Sequence, residues 1–212
     1  LKLICKIFLD IHKKSLYIYR GFFILKTKNI ILALDISTSC IGYSLFSKEG
    51  ALMEINYIKF NSKLSIFEKF AAFKNNIKHL LDADIKHIVI EEPLKKFKGK
   101  FSSAHTIAIL NFFNGMISSF TYNHFSVEPI YYNVNSARSL AFADFKRQDN
   151  SDQTKHYVWE RVMEMEPQIN WKYGPKSRKL LKENYDMCDS YVITVAHIVT
   201  MERQKKILEN KK

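Results

Sequence analysis

The sequence predicts an α/β fold: a mixed five-stranded sheet, three antiparallel strands followed by parallel crossovers, with helices on both faces. Three observations carry that expectation. Three short apolar runs lie between residues 30 and 60, joined by turns too brief to hold a helix. From Ser65 the apolar spacing changes from the strand period to the helical one. Beyond it, strand-like and helix-like segments alternate, as parallel crossovers require. With 212 residues, 47% of them hydrophobic, the chain can bury one sizeable core. No internal repeat or low-complexity linker divides it, so one domain is expected over residues 29–207. Residues 1–28 read as an N-terminal extension without a part in the chemistry, and residues 208–212 as a basic tail.

Ile30 to Ile36 is short, apolar and branched, as a central strand should be. After a turn at Ser37 to Cys40, Ile41 to Ser47 reads as a second strand. Lys48-Glu49-Gly50 marks a tight reversal, and Ala51 to Phe60 reads as a third. Ser65 to Asp82 carries Ile66, Phe70, Phe73, Ile77 and Leu80 or Leu81 at helical spacing. Lys86 to Glu92 is a strand stopped by Pro93. Ser102 or Ser103 caps a helix running to about Asn123. Its apolar residues from Ala104 to Phe120 lie around more than one face, which predicts burial on both sides, by the sheet and by a second subunit or the N-terminal segment. Val127 to Val134 is a fifth strand and Asn135 to Phe142 a short helix. Ser151 caps another helix, ended by Pro167. A loop with Gly174 and Pro175 near its middle leads to a last helix from about Asn184 to Ile207.

Lysine and arginine number 33 against 21 acidic residues, a formal charge of +12. Such a surplus points to nucleic acid or an anionic membrane surface as partner. An AT-rich genome, which inflates lysine, gives the same excess. No apolar run is long enough to span a bilayer, so no membrane role is expected. Cys5, Cys40 and Cys188 are odd in number and lack the C-x-x-C spacing, which points away from a disulfide framework and a zinc site. A reducing cytoplasm, of a bacterium or of a phage-infected cell, is the expected compartment. The chain begins with Leu1, so residues 1–28 are read as dispensable or as sequence translated ahead of the true start.

Four carboxylates stand out. Asp35 ends the first strand, where it can serve a site or close an Asx-turn. Glu91 ends the fourth and shares the face of Val89, whereas Glu92 points the other way. A solvated strand end is the ordinary alternative. Asp186 and Asp189, three residues apart, share one face near the start of the last helix. The helix dipole alone favours acids there, but the apolar run Ser190 to Ala196 shows that this helix packs closely. Acids gathered from distant elements repel one another unless a cation lies between them. Cys188 is expected to pack inward, and His197 to pack rather than to bind metal.

In combination these residues resemble the RuvC-type Holliday junction resolvases of the ribonuclease H-like superfamily. The resemblance runs from Ile30 to about Thr200. Leu32-Ala33-Leu34-Asp35-Ile36-Ser37 with Gly42-Tyr43 is similar to the family's first strand, Val89-Ile90-Glu91 to its fourth, and Asp186-x-x-Asp189 leading to Ala196-His197 to its final helix. Two departures are visible. Asp35-Ile36-Ser37 replaces the family's common Asp-Pro-Gly, and the stretch between Glu91 and Asp186 is longer, with Gln168 to Lys182 as the insert. The resemblance implies a magnesium-dependent, structure-selective endonuclease of branched DNA, acting on four-way junctions as a homodimer, with the helix 104–120 as the candidate interface. It implies catalytic and metal-binding roles for Asp35, Glu91, Asp186 and Asp189, with two Mg2+ ions that Mn2+ can replace. Lys155 and Arg138 resemble family positions that hold the scissile phosphate. Lys95, Lys96, Phe97, Lys98 and Lys100 interleave cations with an aromatic, a pattern suited to phosphates and an unpaired base. Phe97 is a wedge at the branch point or a hydrophobic anchor of its loop. Lys172 to Lys182 extends the DNA track or is a solvated insert. Two competing readings remain. One is an actin-like ATPase or sugar-kinase fold, whose first phosphate loop looks like Asp35 to Ser39 but whose second glycine-rich half finds little room among six glycines. The other is a non-catalytic nucleic-acid-binding module on the same fold.

Overall fold

The computed structural model describes residues 28–93, 104–148 and 150–210. β1 (Ile30–Ile36), β2 (Cys40–Phe46) and β3 (Leu52–Lys59) form the meander. Ser65 caps α1 (Ile66–Asn76): its hydroxyl accepts from the Glu68 amide while the Glu68 carboxylate accepts from the Ser65 amide. The helix stops short of Asp82, because a 3-10 turn at Lys78–Leu80 follows and turns Ile77 and Leu80 into the core. β4 (Ile85–Glu91), α2 (Ala104–Phe125), β5 (Pro129–Tyr132), α3 (Val134–Ala141), α4 (Ser151–Met165) and α5 (Glu183–Glu209) complete the order. Asn150, not Ser151, caps α4 through the Gln153 amide, and α5 runs two residues into the expected tail.

The strands lie in the order β3-β2-β1-β4-β5. β1 is antiparallel to β2 and parallel to β4, and β5 is parallel to β4. Both faces of the sheet are covered. On one, Ile30, Leu32, Leu34, Ile88 and Ile90 meet Phe73 of α1 and Phe113 and Ile117 of α2. Each such side chain contributes roughly 1.5–3 kcal/mol by leaving water. On the other, Ile31, Ala33, Phe46 and Val89 meet α3, α4 and α5. Among the described residues the sheet and α1 cover one side of α2; the second subunit and the N-terminal segment expected on its other side lie outside them. Phe113 and Ile117 face the sheet, while Phe112 is 52% exposed.

α5 is the element on which the site depends. Its segment from Met187 to His197 is buried all round, between the sheet and α3 and α4. β2 accommodates it by grading side-chain size along one face: Gly42, Ser44, Phe46. Phe46 packs against Tyr191 with ring centroids 5.3 Å apart. The Ser44 hydroxyl lies 3.1 Å from both the Ser190 carbonyl and the Thr194 hydroxyl. At Gly42 the helix backbone comes so close that an added Cβ would stand 2.1 Å from the Asp186 carbonyl oxygen.

Candidate metal centre

Strand register builds the first half of the site. Ala33 pairs with Val89 and Leu34 with Ile90, so Asp35 and Glu91 come next on neighbouring parallel strands. Each shares the parity of Ala33 and Val89, and both therefore face α5. Gly42, opposite Asp35 on β2, lets the first turns of α5 rest on the sheet at that level. Asp189 then meets the strand acids. One ligand oxygen from each of Asp35, Glu91 and Asp189 lies within 4.8 Å of the others, a group that can hold a metal ion. Asp186, one turn earlier, is not in that triplet; its carboxylate takes a hydrogen bond from the Cys40 thiol, and its charge acts on Asp35.

Among the described residues, two cations answer these four acids. Arg138 of α3 is buried, and its Nη2 donates to Asp189 Oδ1 at 2.6 Å. Lys155 of α4 is half-buried; burial pushes its ammonium pKa down, but the four carboxylates outweigh that and leave it above its ordinary value. Among the described residues, four acids against two cations leave two negative charges uncompensated if all ionise. The acids register this excess. Burial, then Glu91, Asp189 and Asp186, raises the Asp35 carboxyl well above the usual range. Burial and Asp189 push Glu91 up to about 7 against an ordinary 4.5, and burial pushes Asp186 up to about 6. An all-oxygen donor set with surplus negative charge fits a hard divalent cation and does not fit a soft-metal site.

The structure thus brings Asp35, Glu91 and Asp189 together, sets Asp186 beside them and turns Lys155 toward them. Arg138 corrects an expectation: foreseen as an open phosphate contact, it is 6% exposed and tied to Asp189. Lys95, Lys96, Phe97, Lys98 and Lys100 lie outside the described residues. Cys188 is buried, as expected of an inward-packing thiol. His197 is buried as well; its Nε2 meets His87 Nδ1 at 3.1 Å and its Nδ1 meets the Tyr132 hydroxyl at 3.2 Å. Sequence reasoning missed Cys40 as the partner of Asp186 and the steric need for Gly42. The latter left a signal: a lone glycine inside an apolar strand marks close backbone approach.

No protein-family profile matches this chain, and no curated protein matches it. Solved structures do. Thermus thermophilus RuvC, in complex with a Holliday junction substrate, aligns with a TM-score of 0.56 and 12% identity over 82% of this chain and 96% of its own. The yeast mitochondrial Holliday junction resolvase aligns with a TM-score of 0.57 and 13% identity over 97% of this chain and 93% of its own. The chain has the ribonuclease H-like fold of these resolvases. No helix among the described residues is long and apolar enough to cross a membrane.

Proposed function

We propose that the chain is a magnesium-dependent, structure-selective endonuclease that hydrolyses phosphodiester bonds in branched DNA, the four-way junction foremost. The observation that supports this best is the convergence of Asp35, Glu91 and Asp189 within 4.8 Å at one end of the sheet. The reaction joins a water oxygen to phosphorus as one ester P–O bond breaks. Magnesium, when bound, polarises a phosphoryl oxygen and lowers the pKa of a water at the site. Asp35, Glu91 and Asp189 would be its ligands, and Asp186 would serve a second ion. Arg138 fixes the Asp189 carboxylate through a charged hydrogen bond. Lys155 makes no salt bridge among the described residues and faces the four acids, where its ammonium would meet a phosphate oxygen. The +12 formal charge draws a polyanion toward this acidic centre.

The same reading includes a homodimer. Phe112 and Phe67, 52% and 65% exposed, pack edge to face on the outer side of α1 and α2 and offer an apolar surface to a second copy. It also places the activity in the cytoplasm of a bacterium or of a phage-infected cell. The test is cleavage of a synthetic four-way junction beside linear duplex, flap and RNA–DNA hybrid, with magnesium and with EDTA. Preferential, magnesium-dependent cutting of the junction is expected. Cutting that persists in EDTA, or in Asp35→Asn, overturns the proposed centre; equal cutting of all four substrates overturns the selectivity.

A further inference from the structure

Residues 172–182 form an ordered hairpin. Tyr173 and Leu180 bridge as antiparallel partners. The Gly174 amide donates to the Lys179 carbonyl at 2.8 Å and the Leu181 amide to the Lys172 carbonyl at 3.0 Å. Its base is fixed to the site. Asn184, fully buried and two residues before Asp186, accepts from the Lys172 amide at 3.0 Å and donates to the Lys172 and Leu181 carbonyls at 2.7 and 2.8 Å. Trp171, just before the hairpin, packs edge-on against Trp159 of α4 at 6.0 Å. His156, next to Lys155, packs on the same Trp159 at 5.0 Å. The hairpin and the cation that faces the acids are therefore held by one continuous set of contacts.

Its surface is of one sign. Lys172, Lys176, Arg178, Lys179 and Lys182 are all exposed, and residues 172–182 include no carboxylate. Among the described residues none of the five makes a salt bridge, whereas Lys59, Lys86 and Arg161 elsewhere are each paired with an acid. Like charges held at fixed spacing repel one another, and a polyanion laid across them removes that repulsion while releasing its own counterions. Tyr173, 50% exposed, adds a flat polar-tipped surface among them.

We propose that this hairpin grips the sugar-phosphate backbone of a duplex arm beside the scissile bond, adding affinity without entering the chemistry. The proposal rests on the nuclease reading above. It is tested with Lys176→Gln/Arg178→Gln/Lys179→Gln and, as a control, Lys48→Gln/Lys205→Gln/Lys206→Gln, which removes the same charge from exposed positions outside the hairpin and outside α1 and α2. Binding to a four-way junction and to a duplex of one arm is followed by anisotropy in EDTA across a salt series, and cleavage by single turnover at saturating enzyme. The hairpin variant should bind the junction about tenfold more weakly, with a salt slope reduced by about 2 to 3 for three lost phosphate contacts. Its maximal cleavage rate should match wild type, and the control should bind as wild type does. Unchanged affinity and slope in the hairpin variant, equal weakening in the control, or a lower maximal rate at unchanged affinity each overturns the proposal while leaving the nuclease reading intact. Failure of the wild type to bind either DNA overturns both.

Discussion

The two faces of the sheet are made by the same strands and do opposite work. Under α1 and α2 the contacts are apolar: Leu34 and Ile90 are fully buried against Phe73, Phe113 and their neighbours. Under α5, the next residue along each strand, Asp35 or Glu91, joins a half-buried collection of charge that includes the buried pair Asp189 and Arg138. One step of register separates a position that stabilises the fold from one that strains it. Burial of uncompensated carboxylates opposes folding, as their raised pKa values record. The apolar face supplies the rigidity that lets the other face keep such a cluster together.

Adjacent substitutions should split the two roles, and with the largest effect. Asp35→Asn is expected to lower junction cleavage by about 1000-fold or more, equivalent to about 4 kcal/mol of barrier. Without divalent cation the same variant should melt higher than wild type, since an uncharged amide replaces a repelled carboxylate. Leu34→Ala should do the reverse, losing about 2–5 kcal/mol of stability while the folded fraction cuts normally. Thermal melts beside single-turnover rates decide the matter. A lower melting point for Asp35→Asn in EDTA would mean that the carboxylate supports the fold rather than burdening it.

The buried ion pair sharpens the contrast. Arg138→Ala leaves Asp189 without its partner and should cost about 3–5 kcal/mol. Arg138→Leu/Asp189→Leu should recover most of that stability by urea titration yet remain inactive. If the double variant were as unstable as the single one, the pair would be essential to packing and not only to the site. Glycine gives a smaller contrast. Gly42→Ala places a Cβ against the Asp186 backbone, so the helix must shift, with a loss of about 1–3 kcal/mol and weaker magnesium binding by calorimetry. Gly115→Ala, in exposed α2 with nothing within 4 Å of the new atom, should instead stabilise by up to about 1 kcal/mol.

How much of this was legible in the sequence follows the range of the forces involved. β1 and the order of the elements were readable because apolar period is local. The choice of Glu91 over Glu92 rested on strand alternation, and the structure places Glu91 with Asp35. Arg138 was misplaced because an arginine on a short amphipathic helix looks the same whether it meets solvent or a carboxylate 51 positions away. The basic run of residues 172–182 was read as an extension of the DNA track or a solvated insert, and its hairpin form was not foreseen, since its order comes from Asn184, whose side chain closes the base from outside the basic run. The four-residue β5 is shorter than the run Val127 to Val134 because Asn133 caps α3 with its side chain and so ends the strand.

The smallest effects should be those of pH, and they oppose each other along the two ends of the α5 face. Glu91 at about 7 and Asp186 at about 6 lie above the roughly 4 of carboxylates in an unfolded chain. Between those values the folded state holds more protons than the unfolded one, so stability falls as pH rises from about 4 through about 7. His197 shows the opposite shift: burial, then His87, lowers it to about 4 from an ordinary 6.5. There the unfolded state takes the proton first, so stability falls as pH drops from about 6.5 to about 4. Below about pH 6.5 the two limbs oppose each other, and above it only the carboxylate limb acts, so metal-free protein should melt lower at pH 8 than at pH 6. If magnesium binds the ionised acids as proposed, it should raise the melting point more at pH 8 than at pH 6 and flatten the alkaline limb only. Asp35→Asn should flatten the same limb, and His197→Gln the acid one. If magnesium moved both limbs equally, its binding would not be coupled to these carboxylates, and the division of the face into an acidic and an imidazole end would have to be abandoned.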